Sequence, residues 1–183
     1  MNKENPENKI AVNLAREIRN EFSRENANAL RDLSNQAIEQ AAFKQNPLLA
    51  ELSVAAYALS KLLIKPHVSE SSEWKELKKN VLSRLDQPEN LASAVNSIIT
   101  DTSAFDKSMG NYVIDVIEKA RLKQGARAYA LGLAPGAAAE LTRANKVELF
   151  SYVGATRIHD RPFTQTMDIA KRYKIARAIL KGD

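Results

Sequence analysis

The sequence contains no cysteine. Disulfides, thiol nucleophiles and thiolate metal sites are therefore excluded. It has only two histidines, which without cysteine argues against a zinc site. Glycine and proline are few, six each. No window approaches the run of about 18 apolar residues that a membrane span needs. No segment shows the period-two alternation of a strand, so no sheet is expected. No repeat of fixed period is visible. There is no glycine-rich phosphate loop, no G-x-S-x-G and no H-E-x-x-H. The first nine residues, MNKENPENK, are polar and lack a leader-like apolar core, so the expectation is a cytoplasmic protein.

The sequence does hold enough apolar residues, 44%, to build a core. It also carries an uneven charge. Residues 1–100 hold 13 Lys+Arg against 13 Asp+Glu, while residues 101–183 hold 14 against 9. The net charge of +5 thus lies wholly in the second part. Such asymmetry favours a polyanionic partner, although a solvated lysine-rich surface would look the same.

The apolar spacing predicts helices throughout. Residues 1–8 read as a disordered tail. Ile10, Leu14, Ile18 and Phe22 recur every four positions, and Leu30, Leu33, Ala37, Ile38 and Ala41 continue to about residue 44. The pattern leaves open whether 23–28 divides this stretch. Asn46 and Pro47 open a third helix over 47–64, apolar on most sides and so central to a bundle. Ser72 is expected to cap a helix carrying Trp74, Leu77, Val81 and Leu85. Leu91, Val95, Ile98 and Ile99 mark the next. A turn is expected at 101–103, then one long helix over 105–131, running through Met109, Tyr112 and Val113, with Gly132 as its stop. A last helix is expected over 163–180. The expected architecture is an all-α multi-helix bundle: an N-terminal helical bundle over 9–100, and a C-terminal basic half over 101–183 with a helix-turn-helix-like unit at 135–153.

That unit is the one stretch with a functional pattern. Pro135 suits a first helical position. Ala138, Ala139 and Leu141 give a small apolar inner side. Asn145 reads as an N-cap, with Glu148 completing a capping box. Leu149, Tyr152 and Val153 supply the buried side of a second helix. Small residues let two helices approach closely, which is the pattern of a helix-turn-helix. Residues 136–153 resemble the helix-turn-helix of small prokaryotic antitoxin-like DNA-binding proteins. Their pattern runs AAEL, a short turn, then an aromatic or aliphatic residue, Glu and further apolar residues. Here it reads Ala138-Ala139-Glu140-Leu141 and Val147-Glu148-Leu149-Phe150. The resemblance covers 18 of 183 residues. It implies DNA binding or pairing with a toxin-like partner. Arg143 stands where the pattern has glycine, so either it tolerates an unusual backbone there or the turn is rebuilt.

The nucleic-acid candidates follow from this placement. Arg143, Asn145, Lys146 and Ser151 lie at the turn and on the second helix, where base edges would be met. Lys119, Lys123 and Arg127 are spaced by four and share one helix face, as phosphate contacts would require. Arg157, Arg161, Lys174 and Arg177 extend the basic character. Each row can equally be the solvated side of an amphipathic helix. His159 beside Asp160, between Arg157 and Arg161, has the flavour of acid–base chemistry, but adjacent loop residues rarely converge on one atom. No catalytic, metal or cofactor set is expected, and the protein is read as a non-enzyme. The leading expectation is a nucleic-acid-binding protein, with duplex DNA as partner, acting as a regulator or antitoxin-like protein. The alternative is a helical adaptor for protein–protein interaction or self-association through the N-terminal helices. An exposed Lys146 and Arg143 beside the cationic rows would favour the first; a contiguous exposed apolar patch would favour the second.

Overall fold

The computed structural model describes residues 6–156, apart from 67, 69, 70, 87 and 111–114. The described residues form eight α-helices and no strand. They are α1 (Pro6–Ser23), α2 (Ala27–Lys44), α3 (Pro47–Leu63), α4 (Ser72–Leu85), α5 (Leu91–Ser108), α6 (Val116–Ala130), α7 (Pro135–Thr142) and α8 (Lys146–Thr156). None of them is long and apolar enough to cross a membrane.

Local chemistry sets the boundaries. Asn26 caps α2 by accepting from Ala29 N–H at 3.2 Å, and Glu25 turns the chain with φ 57°. The stretch 23–28 therefore does divide two helices. Asn46 accepts from Leu48 and Leu49 N–H at 2.9 and 3.2 Å, and Pro47 occupies the first turn of α3. A two-residue link joins α2 to α3, so α3 folds back along α2.

Helix α3 is the centre, as its apolar circumference predicts. It packs on α1, α2, α5, α6 and α7. Leu52, Ala56 and Leu59 are buried. A small polar knot lies within this apolar core. Ser34 Oγ donates to the Ser53 carbonyl and Ser53 Oγ donates to the Ser34 carbonyl, each at 2.8 Å. Gln124 Nε2 donates to Ser34 Oγ at 2.8 Å, which fastens α6 across the α2–α3 pair. Three aromatic rings close the other side: Phe22 meets Trp74 edge-on at 5.7 Å, and Trp74 meets Phe105 at 5.8 Å.

Several sequence expectations need correction. Pro6–Asn8 belong to α1, while residues 1–5 lie outside the described residues; proline is tolerated at a first helical position because its missing N–H would have no partner there. Ser71, not Ser72, caps α4, accepting from Trp74 N–H at 3.1 Å. The turn expected at 101–103 lies inside α5, where Thr102 is buried. The single long helix over 105–131 is two helices. The chain leaves α5 at Met109, passes Gly110 at φ 87°, and restarts at the Asp115 cap. Asp106 reinforces the restart by accepting from Val116 N–H at 2.8 Å while pairing with Lys65. Met109 is exposed. The division expected at residue 100 therefore falls within a helix, and one hydrophobic cluster runs from α1 to α8. The helix expected over 163–180 lies outside the described residues, as do Tyr112 and Val113.

Candidate functional site

Helices α6, α7 and α8 pack on one another as a three-helix unit. Asp115 opens α6: its carboxylate accepts from Glu118 N–H at 2.8 Å and from Ser103 Oγ at 2.6 Å. The end of α6 is a Schellman turn. Gly132, at φ 103°, donates to Tyr129, and Leu133 donates to Ala128.

The same device ends α7, with a residue that pays a steric penalty. Arg143 sits at φ 52° and ψ 32°. Ala144 N–H donates to Ala139 at 2.9 Å and Arg143 N–H to Glu140 at 3.2 Å. Of the two ways to meet this departure from the pattern, the left-handed backbone is the one present, and a clamp from elsewhere holds it. Arg121 Nη1 donates to the Arg143 carbonyl at 3.2 Å and reaches the Thr142 carbonyl at 3.5 Å. These carbonyls close a helix end, where a cation is favoured. Glu51, on the central helix α3, is almost fully buried and lies 3.0 Å from Arg143 Nε and 3.5 Å from Arg121 Nη2. The turn is therefore tied to the middle of the bundle.

Helix α8 starts at the cap expected for it: Asn145 accepts from Val147 and Glu148 N–H at 2.9 and 3.2 Å. Leu149 is wholly buried and fills the space between α6 and α7. That contact depends on Gly125 of α6. A Cβ there would come within 2.9 Å of Thr142 Oγ1 and 3.2 Å of both Leu149 methyls. The opposite side of α8 is open, with Lys146, Val147, Phe150, Ser151 and Gly154 exposed.

The sequence candidates separate into distinct roles. Lys146, Ser151, Lys119 and Lys123 are exposed, and Lys123 Nζ lies 3.5 Å from the Tyr152 hydroxyl of α8. Arg143 is drawn onto Glu51, and Asn145 uses its side-chain oxygen for the cap. Arg127 pairs with Glu39 at 2.8 Å, so its charge is partly neutralised. Arg157, Arg161, Lys174, Arg177 and His159 lie outside the described residues, as does His67. Val147 and Phe150, 78% and 55% exposed, add an apolar element to the outer face of α8.

Sequence reasoning missed four residues. Glu51 and Arg121 were visible in principle, because a single carboxylate on an otherwise apolar helix signals a buried partner. Arg31 and Lys61 were not, because the α2–α3 packing brings them beside Lys123. Burial lowers the Lys61 pKa, and the nearby Arg31 and Lys123 charges lower it further. Burial raises the Tyr57 pKa, against the pull of Lys123 and Arg31. Among the described residues, no group of His, Cys, Asp or Glu is arranged to hold a metal ion. No family model, curated protein or solved structure matches the chain.

Proposed function

We propose that the protein binds duplex DNA through the α7–α8 helix-turn-helix. The observation that carries this reading is the mounting of α8. One side is locked by Leu149 to α6 and α7, and the other stands open from Lys146 to Gly154. A helix held this way is suited to a major groove. Lys146, just after the cap, is the residue assigned to base edges; Val147 can meet a thymine methyl. Lys123 borders α8 and Lys119 precedes it by four residues on α6; both are assigned to phosphates. Arg143 and Arg127 are assigned to holding the fold, given their carboxylate partners.

The test is a binding titration at two salt concentrations, on a selected duplex and on random DNA. Lys123→Ala should weaken both alike and lower the salt slope by about 1. Lys146→Ala should cost roughly 1–3 kcal/mol on the selected duplex and much less on random DNA. Absence of binding at low salt, where phosphate attraction is strongest, would overturn the proposal.

A second reading is favoured by a specific observation. Val147 and Phe150 are exposed one turn apart on the same face of α8. In an adaptor this face would meet a protein partner instead of a base edge. Phe150→Ser separates the two: it removes the apolar contact while leaving Lys146 and the cationic row intact.

A further inference from the structure

We propose that Arg31, Lys61 and Lys123 form a seat for a phosphate group, walled by the Tyr57 ring and bordered by the Tyr152 hydroxyl. The three cations come from α2, α3 and α6, and Tyr152 comes from α8. Lys61 Nζ lies 5.4 Å from the centre of the Tyr57 ring. Lys123 Nζ lies 3.5 Å from Tyr152 Oη. Arg31 Nε is buried and has no hydrogen-bond partner.

Several cations of the bundle are matched to carboxylates. Arg19 meets Asp86, Lys65 meets Asp106, Arg84 meets Asp101, Arg127 meets Glu39, and Arg121 and Arg143 share Glu51. Arg31, Lys61 and Lys123 form no ion pair among the described residues. The charges of Arg31 and Lys123 both act on Lys61, whose pKa is lowered first by burial and then by these two like charges. Like charges brought together on a rigid frame cost free energy that an anion would offset. A phosphate group suits this set: its oxygens can accept from a planar guanidinium fork and from two ammonium groups at once. The seat is not on the outer face of α8 and stands whether or not α8 meets DNA.

The experiment is a calorimetric titration of the full chain with pyrophosphate at low ionic strength. Saturable one-to-one binding is expected. Arg31→Gln and Lys61→Gln should each weaken it by roughly tenfold or more. Lys79→Gln, which removes an exposed charge on α4, should change it less than twofold. A circular-dichroism melt checks each variant for folding, and Arg31→Lys keeps the charge if the glutamine variant unfolds. Nuclear magnetic resonance supplies an independent readout, since the Lys61 ammonium pKa should rise toward its ordinary value when pyrophosphate binds. Two further ligands distinguish the source of the phosphate. Binding of adenosine diphosphate points to a free nucleotide; preference for a 5′-phosphorylated oligonucleotide over its 5′-hydroxyl form points to a nucleic-acid end. No saturation with pyrophosphate, or equal losses for Lys79→Gln and Lys61→Gln, would overturn the seat. Loss of the seat with DNA binding intact refutes this inference alone; pyrophosphate binding without duplex binding refutes the groove reading alone.

Discussion

Gly125→Ala tests how α8 is mounted. In the interior of an exposed helix this change stabilises by about 1 kcal/mol, because alanine loses less backbone entropy on folding. At Gly125 the new methyl would lie 2.9 Å from Thr142 Oγ1 and 3.2 Å from the Leu149 methyls. Neither neighbour can yield cheaply. Thr142 is fully buried, and its hydroxyl donates to the Ala138 carbonyl at 2.8 Å. Leu149 is fully buried between two helices. Overpacking of this kind costs about 1–3 kcal/mol, so a net loss of up to about 2 kcal/mol is expected after the propensity gain is subtracted. For a chain of this size that is a fall of up to roughly 8 °C in Tm. Gly154→Ala is the matched control. It lies in α8, and its Cβ would meet nothing within 4 Å, so it should stabilise by up to about 1 kcal/mol. The assay is a thermal melt of both variants, followed by hydrogen exchange across α8. The expected result is opposite signs, with exchange accelerated in α8 for Gly125→Ala only. A stabilised Gly125→Ala with unchanged exchange would refute the close packing of α6 on α7 and α8.

Leu59→Ala should cost about 2–5 kcal/mol, since Leu59 is wholly buried on the central helix; an unchanged denaturant midpoint and slope would show that α3 is not central. Glu51→Gln should cost roughly 1–3 kcal/mol, below the loss for a fully buried pair because the Arg143 side chain is 57% exposed. Its hydrogen exchange should quicken around 143–145, and unaltered protection there would show that Glu51 does not hold the turn. Asp115 gives a pH prediction. Burial raises its pKa, but the Ser103 hydroxyl, the Glu118 N–H, the Lys107 charge and the Ile117 N–H together bring it below the ordinary carboxylate value. The resulting stabilisation is complete above the unfolded pKa of about 3.9 and is lost as the pH falls through the lower folded value. Asp115→Asn should remove that part of the acid dependence, and urea midpoints matching the parent at every pH would contradict it.

Local periodicity and end chemistry were enough to read much of the fold. The apolar circumference of 47–64 marked α3 as central because a helix without a polar side must be surrounded. Asn46, Asn145 and Gly132 marked helix ends because capping needs only near neighbours in the chain. At Arg143 the sequence left two answers, an unusual backbone or a rebuilt turn, and the packed chain takes the first. Tertiary structure decided what has no local signature. The break at 109–115 was masked because residues on both sides keep helical spacing; Asp106 and Asp115 supply the bonds that restart the chain. Helical spacing already placed Leu149 inward, but only the packing of α8 on α6 and α7 leaves Val147 and Phe150 uncovered on its outer face. Charge behaved likewise. The sequence shows how many cations lie within 101–183, but a carboxylate far along the chain can silence any one of them. Glu51 engages Arg143, Glu39 engages Arg127, and the folding of α2 against α3 brings Arg31 and Lys61 to Lys123. Helix identity depends on neighbours within one or two turns, whereas electrostatic pairing depends on distance in space, which only the packed helices set.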